Sequence, residues 1–178
     1  DAVLTAWNTE ELTAFISNNG TDAGSSTSNY YNEYVKSFEA LKNFKVGLPL
    51  GLRPGQTQTE PSRVEGYYSE ADKTYLVTHF ESVKLIWYGQ NNDLGFKEYL
   101  ENVTGGADLI TETEAQFSAV DAAFSAIPNN LSLKTLAETE DERLVNVHTE
   151  LQRLTRFLKS DLSSLIGIAI TYSSGDGD

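Results

Sequence analysis

Cysteine and methionine are absent from the 178 residues, and there are only two histidines and four prolines. Without cysteine, disulfides and thiolate metal centres are excluded. Methionine is missing even at position 1, as expected of a chain that starts after a cleavage or is a piece of something longer. Basic residues are scarce: 13 Lys and Arg stand against 26 Asp and Glu, a formal net charge of -13. That balance argues against nucleic acid or an anionic membrane as partner, because both call for a basic surface. No stretch approaches the roughly 20 apolar residues of a membrane span, and no signal peptide is recognisable. Strand-like alternation is also lacking, and no internal repeat is visible.

What the chain does contain is apolar residues at helical spacing. Residues 2–16 carry Leu4, Trp7, Leu12, Phe15 and Ile16, with a break expected at Trp7-Asn8-Thr9. The small polar stretch 18–28 reads as a loop. Residues 29–44 keep one apolar face through Tyr31, Tyr34, Val35, Phe38 and Leu41. Three glycines and two prolines within 45–55 predict an irregular crossover with no helix. Pro61 then suggests a helix start, and 70–88 a long helix with Leu76, Phe80, Val83 and Trp87 as its stripe. Short and long helices are predicted over 95–103 and 111–127, the latter opened by a Thr111/Glu114 capping box and closed by Pro128. A last helix is expected from near Thr139, with Thr139 and Glu142 repeating that spacing. It carries Leu144, Val147, Leu151, Leu154, Leu158 and Leu165, and 168–172 is too short for more than an isolated extended segment. The sum is an all-α helical bundle with a Gly/Pro-rich crossover, a single domain over residues 1–178.

Chemistry-bearing patterns are few. Neither His79 nor His148 has a carboxylate three or four residues away, so neither makes a local helical metal pair, and packing or surface roles are expected. The acidic residues Glu138, Glu140, Asp141 and Glu142 fit a helix start, where negative charge meets the positive end of the helix dipole. No phosphate-binding glycine loop follows a strand, and GxSxG is absent. Tyrosines cluster at 30, 31 and 34 and at 67 and 68, consistent with core packing at helix ends or with an interface. The closing Gly175-Asp176-Gly177-Asp178 has too few oxygens for a calcium loop and reads as a solvated or docked tail.

Four blocks, in this order, carry a family resemblance: KVGLPLG at 45–51, PSRVEGYYS at 61–69, IWYG at 86–89 and IGIAITYSSGDGD at 166–178. Together they resemble the C-terminal half of the imelysin family, helical bacterial cell-envelope proteins also known as iron-regulated protein A-like or imelysin peptidase-like, here nearest to Bacteroidetes-type forms. The resemblance implies a fold of two packed helical bundles, of which this chain supplies the second. It places the functional cleft between the bundles, near a GxHxxE motif in the preceding half. No GxHxxE occurs here: Phe-Glu-Ser follows His79, and Thr-Glu-Leu follows His148. No catalytic or metal-binding residue can therefore be assigned on this chain. Pro49, Arg63, Glu65, Tyr68 and Ser69 occupy the matching motif positions and are the candidates to face the cleft. Arg63 and Glu65, two apart, would not share a face on a continuous helix. The alternative is that this block only shapes a helix entry.

The resemblance further implies a periplasmic or outer-membrane-anchored protein of iron or haem uptake, with iron or another divalent metal bound only in the full protein. Its partner would be the N-terminal half of the same protein. The rival readings are a metal-dependent peptidase of the imelysin type and a structural or adhesive helical module. A bundle shaped against a partner bundle should keep one apolar face uncovered, a patch beyond roughly a few hundred Å².

Overall fold

The computed structural model describes residues 2–91 and 93–172, and every regular element among them is helical. The N-terminal stretch runs from α1 (Ala2–Ala6) through a wide π-turn (Trp7–Glu11) into α2 (Leu12–Ser17). It breaks at Thr9, whose φ of -125° and ψ of -106° are not helical, within the tripeptide where the pattern lapses.

Helix α3 (Ser26–Ala40) starts three residues earlier than its apolar pattern. The cause is Ser25, whose side chain accepts a hydrogen bond from the Ser28 N–H at 3.1 Å and caps the first turn. At its other end α3 does not stop at the breakers. It widens into a π-turn (Leu41–Gly47) that survives Lys45 and Gly47 before the chain turns at Leu48, so the expected crossover is helical in its first part.

The proposed helix at Pro61 shrinks to one 3₁₀ turn (Pro61–Arg63), because Val64 is extended with ψ of 142°. Helix α4 (Asp72–Tyr88) follows and buries Leu76, Phe80, Val83 and Trp87, the stripe read from its spacing. After α5 (Phe96–Leu100), α6 (Gly106–Ser125) begins five residues before Thr111. Thr111 thus lies inside the helix and bonds back to the Ala107 carbonyl instead of capping. A helix not apparent from the pattern, α7 (Leu133–Glu138), ends at Thr139, whose hydroxyl bonds back to the Thr135 carbonyl. Asp141 caps α8 (Glu142–Thr155) in its place, accepting from the Arg143 N–H at 2.9 Å. A third π-turn (Arg156–Asp161) joins α8 to α9 (Leu162–Ile166).

The core forms where α8 lies along α6 and where α4 meets α3 and α6. Leu144, Val147, Leu151, Leu154 and Leu158 are fully buried, each contributing roughly 1.5–3 kcal/mol of transfer free energy. Phe80 and Trp87 of α4 meet Phe117 of α6 edge-on, with ring centroids 5.8 and 5.7 Å apart. Beyond α9, Asn32 holds the extended segment: its amide donates to the Ala169 carbonyl at 3.1 Å and accepts from the Thr171 N–H at 2.8 Å. The Asp176 and Asp178 tail lies outside the described residues.

Candidate functional site

The crossover positions most of the motif residues. Gly51 sits at φ 71° with the Gln58 backbone so close that an added Cβ would lie 2.3 Å from its carbonyl oxygen. This approach folds 48–60 back on itself, and the Glu60 N–H reaches the Pro49 carbonyl at 2.9 Å. Glu60 then gathers its neighbours: Oε1 accepts from Gln56 at 3.0 Å, and Oε2 lies 3.5 Å from Arg63 Nη1. Glu65 pairs instead with Lys45, Oε2 to Nζ at 2.6 Å. Pro49 and Arg63 are therefore linked through Glu60, while Glu65 joins a second cluster. Ser69 bonds only locally, to the Gly66 carbonyl. Tyr68 is 97% exposed and touches Tyr67 edge-on. The five candidates do not converge on one point.

Around Lys45 lie His79 and Ser37, with His79 Nε2 2.9 Å from the Ser37 hydroxyl. Burial, then the Lys45 charge, lower the His79 pKa, against the opposing pull of Glu65.

A larger polar cleft, about 760 Å³, opens on the other side of the crossover. The π-turns Leu41–Gly47 and Arg156–Asp161 form its walls, together with α8 and residues 51–56. Wide helical turns displace side chains from the regular register and are often found at functional sites. Here the turn Leu41–Gly47 displaces Lys42 and Asn43 into the interior, 3% and 5% exposed. Lys42 Nζ donates to Gln152 Oε1 of α8 at 2.8 Å. Glu39 is buried and held at both oxygens, by Lys159 Nζ at 3.0 Å and by the Tyr172 hydroxyl at 2.6 Å. The His148 ring lies against Gly47, where an added Cβ would stand 3.4 Å from Nε2. Burial, then the Lys42 charge, lower the pKa of His148.

Of these residues the sequence singled out His148 alone, in a packing or surface role, and missed the others. The signal was present: Lys42 stands four positions after Phe38, where the apolar stripe of α3 would continue. A charge in a buried register needs a polar environment to receive it.

Among the described residues no group of three or more His, Asp or Glu is placed to hold a metal ion. No described helix is long and apolar enough to cross a membrane.

A further surface feature is apolar. No residue of α1, the first π-turn or α2 is buried. Trp7 and Phe15 touch across the kink, ring centroids 5.3 Å apart, and with Ile16 and Tyr30 they line an open hollow of about 620 Å³. A second apolar hollow of about 210 Å³, formed by Tyr30, Ile86, Leu94, Phe96 and Ile168, adjoins it through Tyr30 and Thr27.

Among known proteins, the family model described as imelysin (peptidase M75) matches residues 1–158. No curated protein sequence and no solved structure is matched. The match covers most of the chain, and the helical bundle agrees with it: the chain belongs to the imelysin family.

Proposed function

We infer that the protein is the C-terminal bundle of a cell-envelope binding protein of iron or haem uptake, which shares its main cleft with an upstream half. The observation that carries this reading is the uncovered apolar helix at 2–17. Val3, Leu4, Trp7, Phe15 and Ile16 are 37–78% exposed, although they sit on one kinked amphipathic stretch. An apolar helix face of this kind is stable when a second element covers it. The upstream half is the occupant we assign. Its contacts would extend over the adjoining hollow at Tyr30 and Phe96, next to the last motif block.

The described residues do not fit a bare iron or divalent cation. His148 faces the Lys42 charge, which opposes a cation, and Glu39 already serves Lys159 and Tyr172. Metal or haem would thus be held mainly by the upstream half. Pro49, Arg63, Glu65, Tyr68 and Ser69 would contribute as the edge of the shared cleft, with Glu60 bracing the first two.

Native mass spectrometry of the full-length preparation, with metal and haem content and a casein hydrolysis assay on the same sample, tests the reading. The expected result is a complex in which this 19.6 kDa bundle stays attached to the upstream half, carries iron or haem, and does not hydrolyse casein. A Trp7→Lys, Ile16→Lys double variant, whose changes touch no buried residue, should fold and release the partner. Chelator-sensitive hydrolysis would instead establish the peptidase reading, and a bundle that never associates would sink the shared cleft.

A further inference from the structure

We propose that Ser37 and His79 form a nucleophile–base pair, an acyl-acceptor site for small esters with an unhindered carbonyl. The pair lies wholly within this bundle and needs no residue of the upstream half, so it stands or falls apart from the reading above. What singles it out is the direction in which one hydroxyl is turned.

A serine inside a helix commonly gives its proton to a carbonyl of the preceding turn. Ser17, Ser82, Ser118 and Ser163 all do so, donating to carbonyls three or four residues back at 3.0 Å. Ser37 makes a different bond: its Oγ turns across to α4, where His79 Nε2 stands 2.9 Å away. That separation lies within the roughly 2.6–3.2 Å at which a base can activate a hydroxyl nucleophile. Ser37 is on the exposed side of α3, beside the buried Phe38, so an ester carbonyl can approach its oxygen from solvent.

The base is poised for neutral pH. Half-buried on α4, His79 meets the Ser37 hydroxyl from α3, the Lys45 charge from the turn Leu41–Gly47 and the Glu65 charge from the segment before α4. Burial, then Lys45, keep the imidazole neutral, so that it is able to take a proton. Lys45 acts only as a fixed charge: its Nζ is paired with Glu65 at 2.6 Å and donates to the Tyr75 carbonyl at 3.2 Å, one turn before His79. Glu65 pulls the other way and offsets the positive charge that the ring gains on protonation.

In the step assigned to the pair, Ser37 Oγ attacks the ester carbonyl carbon as its proton passes to His79 Nε2. The tetrahedral adduct then collapses, the ester C–O bond breaks, and the leaving alkoxide or phenoxide takes a proton from the imidazolium or from water. An Oγ–C bond has replaced the ester C–O bond, no electron is transferred, and Ser37 carries the acyl group. A hydroxyl that only tied α3 to α4 would gain no reactivity from its partner.

The probe is p-nitrophenyl acetate, with peptide mass spectrometry following acetylation serine by serine between about pH 5 and 8. Ser37 is expected to react at least about tenfold faster than Ser82 and Ser118, exposed helical serines that face a carbonyl instead of a base. Its rate should rise with pH and level off, with a midpoint below the ordinary 6.5 of histidine, while the two control serines keep rising with hydroxide. In His79→Gln, which keeps a polar group opposite Ser37 but no base, the rate should fall at least about tenfold and the midpoint vanish. If that variant fails to fold, the comparison with Ser82 and Ser118 and the pH profile of the parent decide alone. Acetylation of Ser37 no faster than the controls, an unchanged rate in His79→Gln, or a profile without a midpoint would overturn the proposal.

Discussion

Tyr31 and Tyr34 stand one helical turn apart on α3, both buried, both packed against Phe96, and differ in one respect. The Tyr31 hydroxyl donates to the Leu158 carbonyl, whereas the Tyr34 hydroxyl has no partner among the described residues. Burial drives the Tyr34 pKa far above its usual value, so the group is a neutral hydroxyl in an apolar setting. Removing one oxygen should therefore act in opposite directions at the two sites. Tyr31→Phe strands a carbonyl and is expected to cost about 1 kcal/mol or more, while Tyr34→Phe deletes an unsatisfied donor and should be neutral or stabilising by about 1 kcal/mol. Urea unfolding of the two variants side by side measures this. A matching loss at Tyr34 would mean that its hydroxyl has a partner after all.

At the scale of the element, caps decide where helices begin. Ser25 accepts from the Ser28 N–H and donates to the Gly20 carbonyl at 2.6 Å, tying α3 to the loop before it. Ser25→Ala should lower stability by about 1–2 kcal/mol and increase amide exchange at Ser28, while leaving the amide of Thr171 at the far end protected. The same elements show what was legible in advance. The stripe Leu76, Phe80, Val83 and Trp87 was readable because burial imposes a period that tertiary packing does not alter. The break at Thr9 was readable because the stripe lapses there. Capping boxes were misread at Thr111 and Thr139, since a Thr-x-x-Glu spacing fits equally well inside a helix, as at Thr111, or at the end of one, as at Thr139, where the hydroxyl returns to the carbonyl four residues back. The π-turn after α3 was hidden by its glycine and the prolines that follow. Those breakers set the turn beyond Gly47 and not the helix before it. The polar cleft was hidden for a related reason: Lys42 and Lys159 are far apart in sequence, and the wide turns Leu41–Gly47 and Arg156–Asp161 bring them to one concavity.

For the molecule as a whole, acidity and the two histidines pull stability in opposite directions as pH falls. With a net charge of -13, lowering the pH from 7 toward the isoelectric region relieves self-repulsion and favours the folded state. His79 and His148 work against this. Both have folded-state pKa values below the ordinary 6.5, in each case first through burial and then through a lysine, Lys45 or Lys42, with Glu65 partly opposing at His79. The unfolded chain therefore takes up protons near pH 6.5, while the folded chain does so only at lower pH. In that interval the unfolded state binds more protons, so stability rises with pH and is lost as pH falls from about 6.5 through the folded values. The two effects separate in a difference experiment. Melting temperature against pH from 7.5 to 5 should fall less steeply, or rise, in a His79→Gln, His148→Gln variant relative to the parent, because only the histidine contribution has been removed. Single variants should share the difference, since the two rings answer to different lysines, Lys45 and Lys42. Parallel profiles for parent and double variant would mean that both rings titrate alike in the folded and unfolded chains. His148 would then not feel the Lys42 charge, nor His79 the Lys45 charge.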